Sequence, residues 1–338
     1  MKRIGFGIIG CGVVARTHMC AVEQCEGAKV IGVFDRNADR CAAFASEYGV
    51  RAYASYEEML ADQEIDAVCI CTPSGMHATQ AAQALRAHRH VVLEKPMALT
   101  VTDAEALARE AERADCYLTV VSQYRFFEGV KRVRDLIASG AFGQLVLCDL
   151  YMKYWRDPSY YQSSTWRGTW AMDGGGALMN QGIHGVDLMR FLVGDARVLK
   201  GRAKAIFHDV EVEDTAAALV EFECGALGVI EASTASYPGF SRRIEIHGTR
   251  GYATLVNGML EKLCIEGEML VDTSIATDVG TASDPTKLAA EGHFLQIQNF
   301  VDAINGKEPL AITARDGLEA VRLIEAVYRS SAVSDESV

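Results

Sequence analysis

The sequence predicts an α/β protein, with a doubly wound parallel sheet in residues 1–121 and an α+β domain over 122–338 built on an open, mostly antiparallel sheet. Three observations predict it. An apolar run, Ile4–Ile9, ends in Gly10-Cys11-Gly12-Val13-Val14-Ala15 and passes into a segment with helical character. Strand and helix patterns then alternate as far as Val121, which implies a parallel sheet covered by helices on both sides. From Arg197 to Ile265 the pattern becomes a series of strands with glycine-bearing turns. Several alternate, as in Ile244-Glu245-Ile246, which suits an antiparallel sheet with one solvated face.

The opening turn is a G-x-G-x-x-A pattern. Gly10 permits the tight turn, Gly12 lets the backbone approach a pyrophosphate, and Ala15 keeps helix and strand close. The exposed N–H groups and the helix dipole then hold phosphates. The next strand, Ala28–Asp35, ends in an acid near the spacing of a ribose-binding carboxylate. Such a carboxylate accepts from a 2′-hydroxyl and repels a 2′-phosphate, so the predicted cofactor is NAD. Arg36 beside it would pair with that phosphate, which leaves NADP as the alternative.

A helix follows over 38–48, a short strand over 51–53 and a helix over 56–61. Asp66–Cys71 is a continuous apolar run, as expected of a strand buried on both faces, and it ends in Thr72-Pro73-Ser74. A helix over 77–87 leads to strand His90–Leu93 and to Glu94-Lys95-Pro96. A helix over 103–114, capped by Thr102 or Asp103, precedes the closing strand Cys116–Val121. Ligands of such sheets gather at the carboxyl ends of the strands. The glycine turn, Asp35, Thr72-Pro73-Ser74 and Glu94-Lys95-Pro96 all lie there.

After Ser122, Tyr124-Arg125-Phe126 enters a helix over 129–139. An extended run over 144–155, an irregular aromatic loop and a helix over 176–192 come next. Strands are expected over 198–207, 214–222, 227–235, 242–248, 251–256 and 259–265. A loop is expected over 272–286, and helices over 291–304 and 315–330 before a frayed tail.

Composition narrows the function. At 338 residues the chain has room for two cores. A net charge of −12 argues against a general nucleic-acid or anionic-membrane surface. No run of about 18 apolar residues exists to span a bilayer, and the apolar stretch after Met1-Lys2-Arg3 is cut by glycines too early for a signal peptide. The ten cysteines lie within strand and helix patterns without a C-x-x-C pair, so reduced thiols and a cytoplasmic location are expected. No compact metal-ligating set is evident, and no metal is expected.

Two segments carry the chemistry. Lys95, at a strand's carboxyl end, is placed to lower the pKa of a substrate hydroxyl and to stabilise a developing alkoxide. In Gly174-Gly175-Gly176-Ala177-Leu178-Met179-Asn180-Gln181-Gly182-Ile183-His184-Gly185-Val186-Asp187, three glycines open a helix and allow close approach to the cofactor or the other domain. Asn180 and His184 share one helical face, and Asp187 lies near it.

The glycine fingerprint, E-K-P and the G-G-G-x-x-x-N-x-G-x-H-x-x-D segment together resemble the Gfo/Idh/MocA oxidoreductases over nearly the whole chain. The resemblance implies an N-terminal Rossmann domain and hydride transfer between nicotinamide and a secondary alcohol or ketone of a sugar, inositol or nucleotide sugar. It implies that His184 is the acid/base, that Lys95 binds the same oxygen, and that Asn180 stands where many members have aspartate. The M-N-Q-G-I-H form resembles the branch acting at C3 of nucleotide and amino sugars. Cofactor contacts are expected from Gly10, Gly12, Val13, Val14, Asp35, Arg36, Thr72, Pro73, His77, Glu94, Lys95, Gln123, Trp166 and Arg167. Substrate contacts are expected from Lys95, Arg125, Tyr154, Tyr160, Asn180 and His184, with Lys153, Trp155, Tyr161 and His293 as further candidates. Glu94 either holds the nicotinamide ribose or orients Lys95. Two other readings use the same residues: a glycosidase working by transient oxidation and elimination, and a non-catalytic sugar or dinucleotide sensor. A homo-oligomer, dimer or tetramer, is expected because open antiparallel sheets leave apolar faces to cover.

Overall fold

The computed structural model describes residues 3–273 and 290–335. These fall into two compact units, one from residues up to Gln123 together with those up to Leu318 in the segment that starts at Leu288, the other from Tyr124–Lys287 and the residues after Leu318. The sequence places the second domain in one continuous piece from residue 122. The late segment instead packs with the first unit.

In the first unit, β1 (Ile4–Ile9), β2 (Ala28–Phe34), β3 (Arg51–Ala52), β4 (Ala67–Ile70), β5 (His90–Leu93) and β6 (Leu118–Val120) form one sheet in the order β3-β2-β1-β4-β5-β6. Every pairing is parallel. The helices between them are α1 (Val13–Gln24), α2 (Ala38–Tyr48), α3 (Tyr56–Ala61), α4 (His77–Arg86) and α5 (Val101–Ala114). Strand alternation sorts the side chains onto two faces. Phe6, Ile8, Cys69 and Val92 join one core; Ile9, Val68, Ile70, Val91 and Leu93 join the other. The first core also receives Ile297, Phe300 and Val301 from a late helix (Ala290–Ile304), which explains why this segment belongs to the first unit. Helix α5 begins earlier than expected. Its cap is Thr100, whose hydroxyl accepts from the Asp103 N–H at 3.1 Å.

In the second unit, α6 (Glu128–Ala138), β7 (Leu145–Lys153), α7 (Pro158–Gln162) and α8 (Ile183–Val193) precede a meander of strands. These are β8 (Ala196–Lys204), β9 (Thr215–Phe222), β10 (Leu227–Ser233), β11 (Arg243–Gly248), β12 (Gly251–Val256), β13 (Met259–Ile265) and β14 (Glu268–Asp272). With β7 they form an eight-stranded sheet, β14-β13-β12-β11-β7-β10-β9-β8. It is antiparallel except where β10 runs parallel to β7. The sequence reading missed β14, and it missed α7, which starts where the Asp157 side chain accepts from the Ser159 N–H at 2.9 Å. The expected helix over 176–192 is two pieces, a π-helical turn over Ala177–Gly182 and then α8. The late helix is α9 (Ala290–Ile304), and α10 (Ala314–Asp335) runs past the expected end near 330. Most of the loop expected over 272–286 lies outside the described residues. No helix among the described residues is long and apolar enough to cross a membrane.

Candidate active site

In the first unit the chemistry begins where β1 runs out. Gly10 holds φ +86°, and a Cβ there would lie 2.8 Å from the Cys71 carbonyl oxygen, so only glycine makes this turn. Gly12 stands at the N-terminus of α1, with no side-chain cap and no acidic residue in the first turn. A Cβ on Gly12 would meet nothing within 4 Å. Open space before uncapped helical N–H groups is what a pyrophosphate requires. Val13, beside it, is 60% exposed. Beyond β6, Gln123 is buried and its Oε1 has no hydrogen-bond partner among the described residues, which leaves an acceptor for an amide or hydroxyl donor. These features fit a dinucleotide, whose phosphates the α1 N-terminus would hold. When bound, the nicotinamide supplies the carbon that accepts or gives the hydride.

Asp35 sits just beyond β2 and is buried. Its Oδ2 accepts from the Cys11 N–H at 2.8 Å and Arg40 Nε at 2.9 Å; its Oδ1 accepts from the Asn37 N–H at 2.8 Å and Arg40 Nη2 at 2.7 Å. Burial alone would raise this carboxyl, but those donors hold it below the usual range. Arg36, named from the sequence as the neighbouring guanidinium, is exposed, and Arg40 holds the position against Asp35. Helical geometry brings Arg40 back over the strand end.

Two other rim residues turn inward. His77 was expected on the cofactor, yet it is buried, with Nδ1 2.7 Å from the Pro96 carbonyl and Nε2 2.9 Å from that of Thr72. It ties together the loops that carry Thr72-Pro73 and Lys95-Pro96. Thr72 Oγ1 donates to Gln80 Oε1 at 2.6 Å. Glu94 is also buried. Its Oε1 lies 2.8 Å from His18 Nε2 and 3.6 Å from His293 Nε2, and its Oε2 accepts from the Lys95 N–H at 3.3 Å. It therefore faces the fold interior rather than a ribose, and of its two expected roles the orientation of Lys95 matches the geometry. His293, expected to reach the cleft, belongs to this cluster.

The sequence shows no compact metal-ligating set, whereas the fold brings His18, Glu94 and His293 within 4.8 Å of one another. Burial would raise Glu94, but hydrogen bonds from the two histidines hold it well below the carboxylate range. Burial pushes His18 down against the pull of Glu94, so a neutral imidazole donating to a carboxylate describes the pair. Lys95 follows at the carboxyl end of β5 and is partly exposed.

The second unit carries the other residues singled out from the sequence. His184 lies in the first turn of α8, partly exposed, with its ring against the edge of Tyr124, centroids 5.3 Å apart. Asn180 donates through Nδ2 to the Asp173 carboxylate and accepts from Gln181 Nε2 at 2.9 Å. The carboxylate missing at position 180 is thus supplied to the asparagine by Asp173, which the sequence reading passed over. Gln181 Oε1 accepts from Arg156 Nη2 at 2.7 Å, and its Nε2 donates to the Tyr160 hydroxyl at 3.0 Å. Arg156 is among the largest fully buried side chains of the described residues, its guanidinium 5.2 Å from the Tyr154 ring centroid and 5.6 Å from that of Tyr160. Arg167 stacks over Tyr160 at 4.5 Å and over Trp166 at 5.4 Å. Tyr161 bonds Thr234 through its hydroxyl, at 2.9 Å.

Three expectations need correction here. Arg125 is buried and bound to Asp187, Nε to Oδ2 at 2.9 Å, with its guanidinium 4.7 Å from the Phe191 ring centroid. It anchors α8 rather than a substrate, and Asp187 is consumed with it. Lys153 is exposed and pairs with Glu231 at 2.8 Å, because alternation along β7 sends it to the face opposite Met152 and Tyr154. Trp155 packs against Phe207 and Tyr237. The glycines around the helix make room inside this unit: a Cβ on Gly176 would lie 2.0 Å from the Glu213 carbonyl oxygen, and one on Gly175 2.2 Å from the Tyr328 hydroxyl.

Residues 4–122 match the model of the oxidoreductase family with an NAD-binding Rossmann fold, and residues 130–254 match the GFO/IDH/MocA C-terminal domain. The chain belongs to the Gfo/Idh/MocA oxidoreductases, and it is an NAD-binding dehydrogenase or reductase. It is 29% identical to the 1,5-anhydro-D-fructose reductase of Ensifer adhaerens, covering 85% of this chain and 88% of that one. It is 25% identical to the myo-inositol 2-dehydrogenase of Thermotoga maritima, over 96% and 95% of the two chains. Its fold is similar to the WlbA dehydrogenase of Bordetella pertussis, solved with NADH and UDP-GlcNAcA. That match has a TM-score of 0.87 and 29% identity, over 98% of each chain.

Proposed function

We propose that this protein moves a hydride between NAD and a secondary carbinol carbon of a sugar, inositol or nucleotide sugar. His184 takes the hydroxyl proton in oxidation and returns it in reduction. Lys95 donates a hydrogen bond to the same oxygen and stabilises the charge that develops on it. Glu94, held by His18 and His293, fixes the backbone from which Lys95 projects. Asn180, braced by Asp173, orients the substrate or the imidazole. Trp166, Arg167 and Tyr160 offer aromatic faces and a cation suited to a sugar ring and its polar substituents, whereas Tyr154, expected on the substrate, is buried against Arg156.

The observation that carries the reading is the uncapped N-terminus of α1 at Gly12, open where a Cβ would project, in a sheet whose rim also bears Lys95. The relatives' substrates support the carbohydrate class. Ten unpaired cysteines support a cytoplasmic location. Leu147, Leu199, Leu219 and Leu227 stand exposed on strands of the second sheet, which supports a homo-oligomer.

The test is a screen for NADH formation with sugars, inositols and nucleotide sugars, and for NADH consumption with the matching ketones. Turnover of one class above the rest, lost in Lys95→Ala and His184→Ala, is the expected result. Near-wild-type turnover in both variants would overturn the reading.

A further inference from the structure

Three arginines of the second unit are deeply buried, Arg125, Arg156 and Arg242. Arg156 donates to the Gln181 side chain, and the other two differ in their partners. Arg125 is neutralised by Asp187. Arg242, immediately before β11, is 2% exposed, and no ion pair joins it to a carboxylate among the described residues. Its Nη2 is buried without a hydrogen-bond partner. The guanidinium lies 4.2 Å from the Tyr124 ring centroid, on the ring whose edge meets His184. A Cβ on Gly185, the neighbour of His184, would come 3.0 Å from Arg242 Cδ, so the glycine leaves a path for the arginine along the start of α8. An aromatic face offsets only part of the cost of burying a charge. A guanidinium held beside a reactive histidine with a donor unspent calls for an anion that the protein itself does not supply.

We infer that Arg242 forms an anion subsite beside His184 that takes the carboxylate of a sugar acid. This rests on the reading of His184 as the proton-transfer residue. One guanidinium matches one negative charge, and its planar fork matches a planar carboxylate; a phosphate monoester would bring close to two charges. The subsite selects oxidised sugars over their neutral counterparts by charge, and it leaves the hydride step unchanged.

The test is calorimetric binding to the NADH-saturated protein of three pairs: D-glucuronate and D-glucose, D-galacturonate and D-galactose, UDP-glucuronate and UDP-glucose. At least one acid is expected to bind the wild type more tightly than its neutral partner, by about tenfold or more. Arg242→Met should remove that preference while changing neutral-sugar affinity less than about threefold, and Arg242→Lys should restore part of it. If no acid binds more tightly than its partner, the inference fails. It fails equally if Arg242→Met, shown folded by its thermal melt, keeps the preference. His184→Ala separates the two claims: loss of turnover with the acid preference retained supports both, and turnover retained with the preference intact sinks only the role of His184.

Discussion

Arg40 grips Asp35 with two hydrogen bonds, and together with the N–H groups of Cys11 and Asn37 it fills the four acceptor positions of that carboxylate. A ribose hydroxyl must therefore compete with an arginine for its partner. The same arginine cancels the charge that would repel a 2′-phosphate. Arg40→Ala should strengthen NAD binding and lower kcat/KM with NADP by about tenfold relative to NAD, the scale of one charge-assisted hydrogen bond. Steady-state kinetics with both cofactors check it. An unchanged cofactor ratio would mean that Arg40 plays no part in the choice.

Lys95→Ala and His184→Ala should each lower kcat by roughly 10²–10⁴, the usual worth of a positioned acid, base or charge-stabilising donor. NADH affinity, followed by fluorescence titration, should change little, because the proposed phosphate cradle is Gly12 and the N-terminus of α1. Equal losses in kcat and in cofactor affinity would show that these side chains hold the cofactor instead.

Glu94 is the acceptor for two buried histidines. Glu94→Ala strands a buried donor and should cost about 1.5–3 kcal/mol, the range for a hydrogen bond to a charged group. Glu94→Gln keeps an acceptor in place and should cost less. Urea unfolding of the three proteins orders them, and an alanine variant as stable as the wild type would remove the structural role given to this cluster.

Burial lowers His18 and His77 below their ordinary value of 6.5. The unfolded chain then binds more protons than the native one once the pH drops below about 6.5. Their stabilisation is complete above that pH, and it is lost as the pH falls toward their depressed native values. Glu94, also depressed, adds a loss in the same direction below its ordinary 4.5. The unfolding free energy from urea titration should be flat from pH 8 to 7 and fall from about 6.5, at up to about 1.4 kcal/mol per pH unit for each proton taken up. An unfolding free energy that holds level to pH 5 would contradict neutral burial of His18.

Most of the first unit is legible from sequence, since its signals are local. The glycine turn, the apolar strands and the helix spacing each lie within a few residues of one another. The rim of polar strand ends follows from them. The site residues that sequence reading misses are joined through space. Glu94 and His293 are each named from the sequence, but His18 and the grouping of the three are not, because they come from α1, the end of β5 and α9. Arg156 and Arg242 look like surface cations until the fold buries them. Asp173 stands next to the glycine run without any periodicity to mark it. Lys153 is a substrate candidate by composition alone, and its place in a nine-residue strand sends it to the other side.

The wider turn over Ala177–Gly182 sets the phase of everything after it. Trimming one residue there would let a regular helix form from the glycines onward. It would also rotate His184 by about 100° around the axis. Given the role proposed for His184, such a shortened protein should keep its sheets and its melting behaviour and still be inert, because the imidazole would look the wrong way.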